Sequence, residues 1–392
     1  MSDHAIRVLF PCTGLGREQR GFEAFTRECA AAMRARPGVE VEVLGGGGPD
    51  ARAGERATWN LPRAGFAARA LGRLAGRDPY FVEQVSFFAG MMPHLAAANP
   101  DVIYFADVNL GNACWHWRRL TGQRYRLLYY NGGPSRQPFT RSDLVQQVSP
   151  EHYDAAIQRG ESRECQLLLP HGLAIDAEWR SAGPSERERI RDSLGVPRDG
   201  RLVLSVGALN GSHKRMDFLV REVAALPTPR PHLLLLGAVS AETAGIQALA
   251  GELLGDSGFT AQALPRERVL DAYRAADLFV LASLVEGFGL AHVEALAAGL
   301  PCIAHDTATT RYIYGEEGRL ADLRAPGTLT PVLAAALAAS TENAPARTAR
   351  ARGRHAWVYR RFSWDTLAPQ YAEMFRACAA GRRPATAARD RP

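Results

Sequence analysis

Short apolar runs, each followed by a stretch of helical length, recur along the whole chain. In the first half they are IRVLF (6–10), VEVL (41–44), DVIYFA (101–106), YRLLYY (125–130), LVQQVS (144–149) and QLLLP (166–170). In the second half they are RLVLSVG (201–207), PHLLLLG (231–237), DLFVLAS (277–283) and PCIAHD (301–306). Runs that are apolar at successive positions, rather than alternating with polar ones, predict strands covered on both faces, as in parallel sheets. The pattern predicts an α/β fold, and it occurs twice. A break is expected near 171–200, where glycines and prolines surround one charged helix, giving domains over 1–175 and 176–360. A helix is expected within 361–380 and a disordered tail over 381–392. The Gly- and Arg-rich segment 45–78 is expected to be a solvated loop with a short basic helix, an acceptor or membrane-surface contact being the sharper alternative.

Composition narrows the class. A length of 392 residues suggests about two or three domains. The longest uncharged apolar run, LFVLASLV (278–285), is far below the roughly 20 residues of a membrane span. No secretory signal is visible, so a soluble, cytoplasmic protein is expected. Six scattered cysteines (Cys12, Cys29, Cys114, Cys165, Cys302 and Cys378) lack metal-ligand spacing and read as reduced. The net charge of +6 suits an anionic ligand without requiring nucleic acid or membrane. Of the 47 basic residues only Lys214 is lysine. Arginine does not always replace a compact ammonium on a flexible stem, which singles that residue out.

The candidate chemistry lies in SLVEGFGLAHVEALAAG (283–299), where Glu286 and Glu294 stand eight positions apart. DLFVLAS reads as strand and LAHVEALAAG as helix, so Glu286, Gly287, Phe288 and Gly289 occupy the turn between them. Such a turn presents free backbone N–H groups and the positive end of a helix dipole, and glycine lets a phosphate approach the backbone. Glu294, about one turn into the helix, is placed to accept bonds from a ribose diol. Glu286, beyond the strand's carboxyl end, would face the sugar carried on the phosphate.

Taken with its flanking strands, this string resembles the E-x7-E signature of retaining, family-4 nucleotide-sugar glycosyltransferases of the GT-B fold. That resemblance implies two Rossmann-like doubly wound parallel-sheet domains facing across a cleft, with the last helix, FSWDTLAPQYAEMF, crossing back to the first domain. RLVLSVGALNGSHKRMDFLVREV (201–223) resembles the strand and lysine-bearing loop that open the second domain, and Lys214 falls on the diphosphate-binding lysine. Gly207 and His213 lie in the same turn. RGFEAFTRECAAAM (20–33) resembles a GG-x-E helix start, putting the Gly21 N–H near the phosphates, and LPHGLAID (169–176) resembles the interdomain segment. The base would pack near Gly237 and ALPRERV (263–269), and the N–H groups from Phe288 through Gly289 to Leu290 would join Lys214 on the diphosphate.

Three positions depart from the family. Ala208 stands where an arginine is usual, with His213 or Arg215 as candidate replacements. Asn131 stands for a histidine near the sugar, and Arg20 for a glycine. Asp107, Asn109 and Asn131 end first-domain strands and are candidates for sugar or acceptor contact. Trp115 and Trp117 suit either stacking on an acceptor or helix packing.

The resemblance implies transfer of a sugar from a nucleoside diphosphate, with uridine favoured, to an acceptor hydroxyl with retention. The leaving diphosphate would take the acceptor's proton. No resident cofactor and no metal are implied: the donor is a co-substrate, no two aspartates stand two apart, and the histidines are dispersed. His292 reads as a packed helix histidine. The acceptor is a glycan, a lipid-linked compound or a natural product. Rival readings are a non-catalytic nucleotide-sugar binder and an epimerase or phosphorylase on the same architecture. An NAD enzyme is disfavoured, because TGLGREQRG (13–21) has the wrong spacing for a dinucleotide fingerprint.

Overall fold

A computed structural model of the chain describes residues 5–18, 21–133, 139–339 and 344–384. Arg20 and residues 385–392 of the expected tail lie outside these described residues. The chain divides into two compact units, residues 1–174 with 362–392, and residues 175–361.

The first unit is built on β1 (Ile6–Cys12), β2 (Val39–Gly45), β3 (Glu55–Ala57), β4 (Val102–Phe105), β5 (Arg126–Asn131), β6 (Leu144–Gln147) and β7 (Gln166–Leu168). All neighbours are parallel, in the order β3-β2-β1-β4-β5-β6-β7. The second unit holds β8 (Leu202–Val206), β9 (His232–Leu236), β10 (Phe259–Gln262), β11 (Leu278–Leu281), β12 (Cys302–His305) and β13 (Arg319–Ala321). These too are parallel, in the order β10-β9-β8-β11-β12-β13. In each sheet the order reverses once, between β1 and β4 and between β8 and β11. At such a reversal the loops leaving two adjacent strands part to opposite faces and open a crevice beyond the carboxyl ends.

The central strands are apolar because both of their faces are covered. Leu233 to Leu236 in β9 and Leu278 to Leu281 in β11 are buried at every position. Burying such a side chain contributes about 1.5–3 kcal/mol each. Turn chemistry sets the helix ends. Asp78 accepts a bond from the Phe81 N–H at 2.7 Å and Pro79 opens the helix Pro79–Ala98. Ser363 caps the helix Trp364–Ala379, accepting from the Thr366 N–H at 3.2 Å. Within the first unit, Tyr371 of that helix donates to the Pro170 carbonyl and accepts from Gln146 of β6, both at 2.8 Å.

Segment 45–78 is more than a solvated loop. It supplies the edge strand β3 and the helix Phe66–Ala75, whose Ala68 and Gly72 are buried while Phe66 and Leu74 stand exposed. Among the described residues no helix is long and apolar enough to cross a membrane.

Candidate active site

In the second unit the loops after β8 and β11 lie side by side because their strands do. Two anchors shape the first loop. The Glu242 carboxylate accepts from the N–H groups of Gly211 and Ser212 at 2.9 and 3.0 Å, and Asn210 Oδ1 accepts from the Lys214 N–H at 2.8 Å. Gly207 is required where the stem of Lys214 crosses the backbone, since a Cβ there would lie 3.0 Å from three of its carbons. Gly237 is tighter still, with a Cβ falling 1.7 Å from the Gly207 carbonyl oxygen. Small residues at the ends of β8 and β9 thus let the loop lie flat along the carboxyl edge of the sheet.

On that bed Lys214 Nζ donates to Glu286 Oε1 at 2.6 Å, with side chains 15% and 10% exposed. Burial works to raise the Glu286 carboxyl, but the charge and hydrogen bond of Lys214 outweigh it and hold the group below its ordinary range. Lys214 uses one of its three donors on this contact, which leaves two for another acceptor. His213 lies beside the pair, its Nε2 3.2 Å from the Val285 carbonyl oxygen.

Gly289, at φ +88°, turns the chain from the Glu286 loop into the helix Leu290–Ala297, which no side chain caps. Phe288 is buried beneath the turn at 2% exposure. His292 packs under Gly289 and pairs its Nδ1 with the Tyr314 hydroxyl at 2.8 Å. Burial pushes its pKa down to about 4, so the ring is neutral. Glu294, one turn on, accepts from the Tyr273 hydroxyl at 3.0 Å and pairs with Arg266 at 2.9 Å. Glu286, Glu294, Lys214, Gly207, Gly237 and the Phe288–Leu290 turn therefore belong to one edge of one sheet. Tyr273 and Arg266 were not singled out from sequence, because a tyrosine and an arginine on an ordinary helix carry no spacing signal.

Arg215 does not stand in for the arginine missing at Ala208. It has a left-handed backbone (φ +52°) and turns its guanidinium onto the Leu323 carbonyl and over the Phe218 ring at 4.0 Å.

The first unit repeats the arrangement at its own reversal point. Thr13, after β1, donates to Asp107 Oδ2, after β4, at 2.7 Å, and Tyr80 donates to the other carboxylate oxygen. Nearby, Arg63 pairs with the buried Glu83 at 2.5 Å, and Arg17 reaches Asn60 at 2.5 Å and Glu83 at 4.0 Å. Gly46 and Gly48 allow this approach, because a Cβ at either would meet the Thr13 or Gly16 carbonyl oxygen within 2.4 Å. Gly21 opens the helix Gly21–Arg34, and the Asn109 N–H donates to Gln84 Oε1 at 3.0 Å. Asn131 differs from expectation. It is 1% exposed and its Nδ2 donates to Gln147 Oε1 at 2.7 Å, in a buried amide ladder that continues to Gln166. Its Nδ2 is spent in that ladder, while its buried Oδ1 has no hydrogen-bond partner among the described residues. Trp115 and Trp117 pack against the core of this unit, Trp117 edge-on to Phe88 and Trp115 beside the guanidiniums of Arg119 and Arg141.

Comparison with known proteins bears on the family and the fold. Residues 186–336 match the family model described as glycosyl transferases group 1. The D-inositol 3-phosphate glycosyltransferase of Xylanimonas cellulosilytica is 32% identical over 250 residues, 62% of this chain and 58% of that one. Its counterpart in Mycobacterium leprae is 29% identical over 323 residues, 74% and 73% of the two chains. Across the first relatives the match spans about half of their length, 44% to 58%. Among solved structures, sucrose-phosphate synthase from Thermosynechococcus elongatus superposes with TM-score 0.75 at 21% identity, covering 96% of this chain and 99% of that one. HepE of Anabaena, in complex with UDP and glucose, gives TM-score 0.72 at 19% identity, covering 95% and 99%. The chain has the two-domain GT-B fold, and its residues 186–336 are similar to the glycosyl transferases group 1 family.

Proposed function

We propose that this protein is a retaining glycosyltransferase that moves a sugar from a nucleoside diphosphate, UDP by preference, to an acceptor hydroxyl without a divalent metal. The observation that carries the reading is the Lys214–Glu286 pair, seated on Gly207 at the carboxyl edge of the second sheet. Lys214 and the N–H groups of the Phe288–Leu290 turn hold the diphosphate, with His213 beside them. Glu294 takes the ribose hydroxyls, Glu286 takes hydroxyls of the sugar, and the base lies toward Gly237.

In the transfer, the bond from the sugar's anomeric carbon to the diphosphate oxygen breaks, and the electron pair leaves with the nucleoside diphosphate. The acceptor oxygen bonds the anomeric carbon on the same face, and its proton passes to the departing diphosphate oxygen. Lys214 offsets the charge that grows on that group, and the loops supply orientation. The acceptor belongs to the first unit, at the Thr13–Asp107–Tyr80 cluster. Arg17 and Arg63 beside it, together with relatives named for inositol 3-phosphate, favour an acceptor that carries a phosphate.

A melting-temperature panel of UDP, GDP, ADP and dTDP sugars tests the reading, since a ligand of the native state raises Tm. One nucleotide class is expected to raise it, and the product formed with that donor is expected to keep the donor's anomeric configuration. No shift with any donor, or an inverted product, overturns the reading.

A further inference from the structure

At the other, amino-terminal edge of the second sheet lies a hollow of about 510 Å³. Its wall is made where the chain enters β8, β11, β12 and β13, and by the helix Ala344–Phe362 and the segment around Trp179. Eight of its 23 lining residues are arginine, against a single carboxylate, Asp277. Arginine makes up about one residue in eight of the whole chain, so coding bias alone does not account for a third of this wall.

Asp277 is already committed. It accepts from Arg187 at 2.6 Å, from Arg191 at 2.9 Å and from the Leu202 N–H at 2.8 Å, with Arg201 at 3.7 Å. Arg319, Arg347 and Arg354 line the hollow too, and among its described lining residues Asp277 is the one carboxylate, with Glu317 close enough to act on Arg354 from outside the lining. Arg354 donates through Nη1 to the Gly299 carbonyl at 3.0 Å, while its buried Nε has no hydrogen-bond partner among the described residues. Positive charge gathered around a hollow with one committed carboxylate among its lining residues favours an anion there. Apolar wall is present as well, from Leu300, Pro301 and Trp179, whose Nε1 is fixed on the Ala298 carbonyl at 3.0 Å. The volume falls in the usual range for small-molecule sites.

We propose that this hollow is a second anion-binding site that takes a soluble phosphorylated small molecule with at least two negative charges, apart from the Lys214–Glu286 site on the same sheet. The test uses inorganic pyrophosphate as probe, by titration calorimetry on the full chain. Working in Lys214→Ala protein removes the charge that would hold pyrophosphate at the other edge. Saturable binding with a stoichiometry near one is expected there, weakening at least tenfold when Arg319→Ala and Arg347→Ala are added. Both arginines are exposed, and the melting temperature without ligand checks that the added changes leave the fold intact. Arg319→Glu, a single surface charge reversal, gives a second reading and is expected to weaken binding by at least as much. No saturable binding in Lys214→Ala protein, or equal affinity with and without the arginine changes, overturns the proposal.

Discussion

The ammonium of Lys214 lies 2.6 Å from Glu286 Oε1, and the two residues come from loops that leave adjacent strands where the order of the second sheet reverses. A largely buried pair of this kind is sensitive to the loss of one partner, because the other is left as an uncompensated charge. Lys214→Met is expected to destabilise the protein by roughly 2–4 kcal/mol at pH 7. Glu286 is held below its ordinary value of 4.5, so the contribution of the pair is present above that pH and lost as pH falls through the lowered value. Urea unfolding of wild type and variant should therefore show a gap that narrows as pH drops below 4.5. A gap that widens would contradict the pairing.

His292 gives a second pH signature of different origin. Its folded pKa of about 4 lies below the ordinary 6.5 because the ring is buried, so the unfolded chain binds the extra proton first. Stability is complete above 6.5 and declines toward 4, by about 3 kcal/mol over that window. His171 in the first unit, pushed down to about 3, adds a decline of the same sign. His292→Leu should lower stability at pH 7, through loss of the Tyr314 contact, yet flatten the slope between 6.5 and 4. An unchanged slope would show that the ring titrates normally.

The central architecture was legible in the sequence, because strands covered on both faces must be apolar at every position. The strands that escaped notice, Glu55–Ala57, Phe259–Gln262 and Arg319–Ala321, are all sheet edges. An edge strand has a partner on one side only, and Arg56, Thr260 and Arg319 can remain polar within it. The carboxyl-edge residues were legible for a related reason. Glycines at 207, 237 and 289 answer to close backbone approach or a positive φ, and such constraints leave a mark on the chain. Side-chain direction leaves none, which is why the turning of Arg215 onto a carbonyl and of Asn131 into a buried ladder could not be read.

Glu294 is expected to act on nucleotide affinity more than on the chemical step. If Glu294 takes the ribose, Glu294→Ala should weaken nucleoside diphosphate binding by about 1–3 kcal/mol, or roughly five- to 150-fold. Tyr273→Phe, which deletes one hydroxyl bonded to Glu294 at 3.0 Å, should weaken it by less. Calorimetric titration of both variants decides the order, and a larger effect from Tyr273→Phe would count against a ribose role for Glu294.

Metal independence has its own check. If Lys214 and the helix turn supply the positive charge, transfer measured with and without an excess of chelator should proceed at the same rate. Strict dependence on an added divalent ion would contradict that assignment.

The most direct test compares two ligands on two proteins: the nucleoside diphosphate selected by the melting panel and its bare nucleoside, each titrated into wild type and Lys214→Ala. If Lys214 meets the diphosphate, the variant loses at least tenfold in affinity for the diphosphate, about 1.4 kcal/mol or more, and binds the nucleoside as before. Equal affinities for the diphosphate in the two proteins would place the phosphates elsewhere and contradict the account.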